Sequence, residues 1–212
     1  PVILLSDLYI ANGSEPWRIP NVSDLPIIEN SFANPDEEYV IYRRDPETLA
    51  RTQAIPGQVG LEHRIGGLEK GGDGGVSYDP DNHEEMTRLR AQKVAGISKS
   101  FDPLQVRGEP EGDLLVIGWG GTYGAISSAV GNLREEGFSV SSIHLRHINP
   151  LPDELGEIMG RFKKVIVPEL NLGQLSLILR AKYVIDVIAY GKVQGKPFKV
   201  SELREKFLEH LN

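Results

Sequence analysis

The stretch DLLVIGWGGTYGAISSAV, residues 113–130, predicts a strand, a glycine turn and a helix in direct succession. Residues 114–117 form a continuous apolar run, which is typical of a strand buried on both faces of a parallel sheet. After the turn at 118–124, apolar residues recur at the spacing of one helix face, and the pattern ends at Gly137. Because a strand that leads through a short turn into a helix is half of a β–α–β unit, this stretch predicts an α/β fold.

The same alternation of strands and helices continues to the end of the sequence. Further strands are predicted at 138–145, 164–168 and 184–190. One further helix is predicted with Leu155, Ile158, Met159 and Phe162 on its apolar face, another over 173–181, and a last one from Ser201. Strands that alternate with helices in this way indicate an open, mostly parallel sheet, which we assign to residues 111–212.

Residues 23–110 carry much less regular pattern and are predicted to be an irregular linker region. Prolines interrupt the first part of the chain at positions 16, 20, 26, 35, 46 and 56, and each biases the preceding residue away from helix. Six glycines within residues 66–75 predict a flexible loop or, as the less favoured alternative, a surface against which another backbone packs closely. A short strand is predicted at 39–42, and one helix is predicted to begin at Asn82, with Met86, Leu89, Val94 and Ile97 on one side.

Residues 2–5, Val-Ile-Leu-Leu, form an apolar run typical of a buried strand. A strand cannot be buried alone, so the run either joins the sheet predicted at 111–212 or belongs to a sheet formed by residues upstream of this chain. We favour the second alternative, in which this chain is the C-terminal part of a longer protein.

The composition excludes several functional classes. A net charge of −7 gives no positive surface of the kind that binds nucleic acid or an anionic membrane. No apolar run approaches the roughly 20 residues of a membrane span, and no secretory signal is evident, so a cytoplasmic location is expected. The sequence contains no cysteine, which removes the usual ligands of an iron–sulfur cluster and any thiol nucleophile. The five histidines also lack the paired spacing of a helical zinc site.

The glycine turn at 118–124 has two interpretations. Its G-x-G-G-x-x-G spacing between a strand and a helix is close to a dinucleotide-binding fingerprint, in which backbone amides receive a pyrophosphate. NAD binding would require an acidic residue at the end of the second strand, and none occurs there. Arg146 could bind the 2′-phosphate of NADP instead, so binding of NADP or a flavin stays open. The same glycines equally suit a tight turn with close helix–strand packing, and Trp119 and Tyr123 fill space that a pyrophosphate needs.

A second turn, residues 168–174, follows the third predicted strand and carries Glu169, Asn171 and Gln174. Asn171 is a favourable N-cap for the next helix, which accounts for one of these three polar side chains. The carboxyl ends of parallel strands meet at one edge of the sheet, where ligands and partners dock. We therefore predict a concave polar rim at this edge, with Arg146 and His147 between the two turns. The predicted interface residues are Thr122, Tyr123, Arg146, Glu169, Asn171, Gly173 and Gln174.

The loop Gly-Leu-Glu-His-Arg, residues 60–64, brings a carboxylate, an imidazole and a guanidinium together. An imidazole suits proton transfer near neutral pH, and a guanidinium binds a substrate carboxylate well. The plainer alternative is a surface loop that contains a salt bridge. If any residues of this chain reach the chemistry of a partner, we expect them to be Glu62, His63 and Arg64.

Four stretches occur in the order and spacing of a known family. They are IGWGGTYGAISSAV (117–130), LRHINPLP (145–152), VPELNLGQLSLILR (167–180) and YGKVQGKPF (190–198). Through them, residues 111–205 resemble the C-terminal, transketolase-type domain of the alpha subunit of 2-oxoacid:ferredoxin oxidoreductases, above all its 2-oxoglutarate branch. The earlier stretches PVILLSDLYIANGSEPW and GLEHRIGG resemble the preceding region of that subunit.

The resemblance implies an enzyme that decarboxylates 2-oxoglutarate on thiamine diphosphate, passes electrons through a 4Fe–4S cluster to ferredoxin, and releases succinyl-CoA. Thiamine diphosphate, magnesium and the cluster would be held mainly by a beta subunit, in a heterodimer or a dimer of heterodimers, and this chain alone would bind none of them. Residues 1–22 would end the pyrimidine-contacting domain, 23–110 would be the linker, and 111–212 would serve mainly assembly.

Two features of the family are missing from this sequence. The Y-P-I-T-P segment that faces the substrate does not occur, and the glutamate that activates the cofactor lies upstream in the family. We therefore expect the chain by itself to be inactive. Pyruvate and branched-chain 2-oxoacids stay open as alternative substrates.

Overall fold

The computed structural model describes residues 2–28, 30–34 and 36–211. The chain divides into two compact units, a sheet unit of Pro1–Pro16 with Phe101–Asn212, and a linker unit of Trp17–Ser100. Positions 1, 29, 35 and 212 lie outside the described residues, although the predicted domains and the series of prolines include them. Within the described ranges no helix combines the length and the apolar content that a membrane crossing demands.

The sheet unit is built on four parallel strands in the order β2–β1–β3–β4. The strands are β1 (Gly112–Trp119), β2 (Val140–Leu145), β3 (Phe162–Glu169) and β4 (Val187–Gly191). The register places Leu115 beside Ser141 of β2 and Val165 of β3. Residues 114–117 of the central strand β1 are completely buried, since both faces of the sheet are covered. The predicted α/β class with an open parallel sheet is confirmed.

Helices cover both faces of this sheet. In chain order the helices of the described residues are α1 (Leu8–Asn12), α2 (Pro80–Ala95), α3 (Tyr123–Glu135), α4 (Leu155–Gly160), α5 (Gln174–Tyr183) and α6 (Val200–Leu211). Successive strand residues point to opposite faces. Accordingly Leu114 and Val116 pack with α3 and α6, whereas Leu115 and Ile117 pack with α4 and α5. The core therefore consists of two apolar layers with the sheet between them.

Two predicted features of the sheet unit and one predicted alternative are wrong. Phe162 starts β3 instead of extending the helix of Leu155, because α4 ends at Gly160. The last strand starts at Val187, since Val184 caps α5 in the left-handed conformation, with φ of 55°. Residues 2–5 form no strand with the described sheet and their side chains are exposed, Val2 by 98% and Leu4 by 90%, so the alternative in which they join the sheet of 111–212 is wrong, and the favoured alternative of an upstream sheet stays a prediction.

The linker unit is largely irregular, as predicted, with α2 as its one long helix among the described residues. The strand predicted at 39–42 is wrong, since this segment turns instead. The helix begins at Pro80 rather than Asn82, because Asp79 accepts a hydrogen bond from the backbone N of Asp81 (2.9 Å) and proline is favoured in the first helical turn. Asn82 instead donates from Nδ2 to the Lys70 carbonyl at 3.1 Å.

The glycine-rich segment 66–75 is held in place by side chains, so the prediction of a flexible loop is corrected. Lys70 is only 4% exposed, and its Nζ donates to the carbonyls of Gly66 (3.0 Å) and Leu68 (2.8 Å). Glu69 accepts two hydrogen bonds from Arg90 of α2, at 3.0 and 3.3 Å. The segment therefore folds around a buried lysine and is joined to α2 by an ion pair.

Candidate functional site

The two predicted turns come together at the carboxyl edge of the sheet. β1 and β3 are neighbours, but α3 leaves β1 toward one face and α5 leaves β3 toward the other. In an open parallel sheet, the point where successive helices diverge is the usual position of a crevice. Turns 118–124 and 168–174 therefore lie next to each other at the carboxyl edge of the sheet, which we call the docking edge.

Glu169 ends β3 and is completely buried. Its carboxylate accepts hydrogen bonds from the backbone N atoms of Leu175 and Ser176, both at 2.9 Å, and from Ser176 Oγ at 2.7 Å. Asn171 Nδ2 donates a fourth at 3.1 Å. A carboxylate in this position satisfies the free amides of the α5 N-terminus and complements the helix dipole. The expectation that Glu169 presents its side chain at an interface is thus corrected: the side chain acts inside the turn.

The N-cap of α5 is Gly173, so the prediction of Asn171 as the N-cap is corrected, but Asn171 holds the turn that leads into the helix. Its Oδ1 accepts from the backbone N of Gly173 at 2.7 Å and of Gln174 at 3.0 Å. Gly173 has φ of 89°, a left-handed conformation that glycine adopts without strain. The Gln174 side chain is exposed, and Leu172 is 89% exposed. Two of the three polar side chains therefore fix the turn, and Gln174 and Leu172 are the groups that it offers outward.

The glycine turn is filled by the protein itself. Thr122 is 4% exposed, and its Oγ1 donates to the Trp119 carbonyl at 2.8 Å, so it too acts inside the turn rather than at a surface. A side chain at Gly118 would come within 2.7 Å of Ile126 Cδ1, which shows that this glycine permits close helix–strand packing. The backbone N of Gly121 donates to the carboxylate of Asp7. Since a carboxylate of the chain occupies this amide, NADP or flavin binding at the glycine turn is not favoured.

Arg146 and His147 follow β2, which lies on the opposite side of β1 from β3, so the prediction that they lie between the two turns is wrong. Tyr123 and Arg146 are exposed and lie near a group of residues that sequence reasoning missed. The Arg107 guanidinium donates to the Tyr123 hydroxyl and lies 4.7 Å from the centre of its ring. The His144 ring meets Tyr123 edge-on at 5.0 Å. Partial burial lowers the pKa of His144, and the neighbouring guanidiniums of Arg146 and Arg107 lower it further. No local signal marks Arg107, because a backbone bridge to Ser142, 35 residues later, brings it here.

The loop 60–64 lies in the linker unit and is considered by itself. Glu62 and Arg64 are exposed, and no ion pair joins them among the described residues. His63 is half-buried, with Nδ1 at 2.9 Å from the Leu61 carbonyl and its ring 5.6 Å from that of Tyr39. A role of Glu62, His63 and Arg64 in chemistry stays a prediction.

The sequence does not fit an iron–sulfur cluster, and the described residues form no metal centre. The sequence has no cysteine, and cysteine thiolates are the ligands that such clusters require. In the ranges that the structure describes, no group of three histidine, aspartate or glutamate side chains is placed to hold a metal ion.

Comparisons with known proteins agree on one relationship. Residues 112–203 match the family described as pyruvate:ferredoxin oxidoreductase core domain II. The chain is 54% identical over 206 residues to the 2-oxoglutarate oxidoreductase subunit KorA of Mycobacterium tuberculosis. That alignment covers 96% of this chain and 31% of the relative. The chain is also 28% identical over 225 residues to the alpha subunit of 2-oxoacid:ferredoxin oxidoreductase 1 of Aeropyrum pernix, and this alignment covers 99% of the chain and 34% of the relative.

A solved structure is also similar. The 2-oxoglutarate:ferredoxin oxidoreductase of Magnetococcus marinus, with 2-oxoglutarate, coenzyme A and succinyl-CoA bound, matches with a TM-score of 0.84 and 32% sequence identity. The match covers 91% of this chain and 34% of that one. The chain thus spans about a third of the length of these relatives.

Proposed function

Because this chain belongs to the family of 2-oxoacid:ferredoxin oxidoreductase alpha subunits, we propose that it is part of an enzyme that oxidises 2-oxoglutarate. In the proposed reaction, 2-oxoglutarate and coenzyme A give succinyl-CoA and carbon dioxide, and oxidised ferredoxin accepts the electrons. The observation that carries the choice of substrate is the 54% identity, over 96% of this chain, to a 2-oxoglutarate oxidoreductase subunit.

The proposed role of the sheet unit is assembly with a beta subunit through the docking edge. The side chains of Glu169, Asn171 and Thr122 form hydrogen bonds within the two turns, which fixes the shape of the edge. The edge then exposes Leu172, and Leu177 in the first turn of α5 is 69% exposed. Exposed apolar side chains beside polar ones are typical of protein interfaces. Tyr123, Arg146, Gly173 and Gln174 complete the proposed contact surface.

Thiamine diphosphate, magnesium and the 4Fe–4S cluster of the proposed complex would be held mainly by the beta subunit. The absence of cysteine from this chain supports a cluster held elsewhere, because its ligands must come from residues outside these 212. We propose that this chain binds none of the three alone and is inactive without its partner. Coenzyme A and ferredoxin would act on the complex, a heterodimer or a dimer of heterodimers.

The loop around residues 60–64 is proposed as a second contact with the partner. Exposed apolar side chains flank its polar residues, since Val59 is 85% exposed and Ile65 is 84% exposed. Such side chains gain free energy when a partner covers them. If the partner carries the cofactor, Glu62, His63 and Arg64 are the residues of this loop that would reach the chemistry.

Co-purification tests the assembly role. The chain would be co-expressed with the rest of its proposed alpha subunit and with a beta subunit, and the variants Leu172→Asp and Gln174→Arg would be compared with the wild type. We expect each variant to weaken the complex at least tenfold. Glu205→Arg, an exposed change on α6, is the control and should leave the complex intact. A complex that survives both edge variants would refute the docking edge as the interface.

A further inference from the structure

A groove of about 820 Å³ opens beside the carboxyl end of β2. β2 is an edge strand of the sheet. The backbones of Arg107 and Ser142 exchange hydrogen bonds at 2.8 and 3.0 Å, which fixes the segment 101–107 along the free side of this strand. The groove lies between that segment, Tyr123 and residues 144–147, all of them in the sheet unit. Its volume is within the range of roughly 300–1,000 Å³ that small-molecule sites occupy.

Guanidiniums outnumber carboxylates in the groove lining. Arg107 and Arg146 line it together with one carboxylate, that of Asp102, and with the imidazoles of His144 and His147. Both guanidiniums act on His144, since each lowers the pKa of its ring. Among the described residues, neither guanidinium takes part in an ion pair. In a chain of net charge −7, two arginines without a carboxylate partner make a local attraction for anions.

Flat rings lie beside these cations. Phe101 and His147 stack face to face, with ring centres 3.9 Å apart and planes 9° from parallel. Tyr123 is 42% exposed and already carries the Arg107 guanidinium over its ring. Arginine forks bind phosphate oxygens in pairs, and aromatic faces stack on planar rings. The groove thus combines the two kinds of group that recognise a phosphate attached to a planar ring.

We propose that this groove binds an organic phosphate with a planar ring, of the class of a nucleoside diphosphate. The phosphates would lie on the Arg107 and Arg146 guanidiniums, and the ring would stack on the Phe101–His147 pair. The site uses side chains at the end of β2 and shares Tyr123 with the glycine turn, but it does not use the Gly121 amide, which is bound by Asp7. The proposal does not require the oxidoreductase function, because it rests on side chains of the sheet unit alone, although Tyr123 and Arg146 also belong to the proposed contact surface.

Isothermal titration calorimetry of the 212-residue chain tests this site with ADP, pyrophosphate and adenosine. We expect ADP to bind with a Kd below about 1 mM, pyrophosphate to bind at least fivefold more weakly, and adenosine to give no measurable heat. Equal affinity for ADP and pyrophosphate would overturn the proposed ring contact. Absence of ADP binding at concentrations of several millimolar would overturn the site.

Variants locate the binding. Arg146 is exposed, so Arg146→Gln should fold normally, which far-UV circular dichroism verifies, and should weaken ADP binding at least tenfold. Arg88→Gln is the matched control, because Arg88 is an exposed arginine of α2 paired with Glu84, and it should bind ADP like the wild type. Phe101→Leu should weaken ADP but not pyrophosphate. Unchanged ADP affinity in Arg146→Gln would refute the site.

Discussion

Replacing Glu169 with alanine is expected to destabilise the sheet unit by about 3–4 kcal/mol. The change leaves the buried Leu175 and Ser176 amides and the Ser176 hydroxyl without the acceptor that now lies 2.7–2.9 Å away. Each buried donor left unsatisfied costs about 1–3 kcal/mol, and a carboxylate at a helix N-terminus adds a few tenths to 1 kcal/mol. The three losses share one group, so they sum to less than their individual maxima.

Urea unfolding measures the global change, and hydrogen exchange of the α5 amides measures the local one. The Leu175 and Ser176 amides should exchange much faster in the variant, while β1 amides change only through the global stability. Glu205→Ala, an exposed change on α6, is the control and should stay within about 0.5 kcal/mol. A loss below about 0.5 kcal/mol in Glu169→Ala would show that this carboxylate does not hold the turn.

Three further predictions follow from the same contacts. Gly173→Ala should lower the free energy of unfolding by about 1 kcal/mol, because φ is 89° there. Gly160→Ala is the control and should leave it unchanged, because the space around the added methyl is open. Equal shifts of Tm in the two variants would refute this prediction. Burial and the neighbouring guanidiniums hold the pKa of His144 below its usual 6.5, so the unfolded state binds more protons and the free energy of unfolding falls as pH drops below about 6.5. His144→Asn should therefore lose less Tm than the wild type between pH 7.5 and 5.5. An identical loss would contradict the lowered pKa of His144. Asp7→Ala should free the Gly121 amide and increase limited proteolysis of residues 2–16, and unchanged cleavage would argue that this contact does not hold the segment.

Local patterns were sufficient to predict the centre of the fold. The apolar run of β1, the glycine turn and α3 follow one another within 24 residues, and each has its own periodicity. The meeting of turns 118–124 and 168–174 could also be predicted, because parallel strands bring their carboxyl ends to one edge. Phe162 was misassigned because its spacing from Leu155 fits a helix face, and an aromatic side chain suits the start of a strand equally well.

Non-local contacts account for what the sequence could not predict. Glutamate is usually exposed, so only the folded structure shows that Glu169 is buried under the amides of α5. The same is true of Lys70, whose amine is buried among the carbonyls of a glycine-rich segment that suggested flexibility. Arg107 reaches the groove because its backbone pairs with that of Ser142, and no periodicity in the sequence predicts this pairing.

The most direct test of the proposed function is dye reduction by the reconstituted complex. The chain, the rest of its alpha subunit and a beta subunit would be purified together and supplied with an oxidised viologen. We expect reduction that requires both 2-oxoglutarate and coenzyme A, with at most a tenth of the rate on pyruvate, and none from this chain alone. Faster reduction with pyruvate would contradict the choice of substrate, and a lack of reduction with every 2-oxoacid would contradict the oxidoreductase function itself.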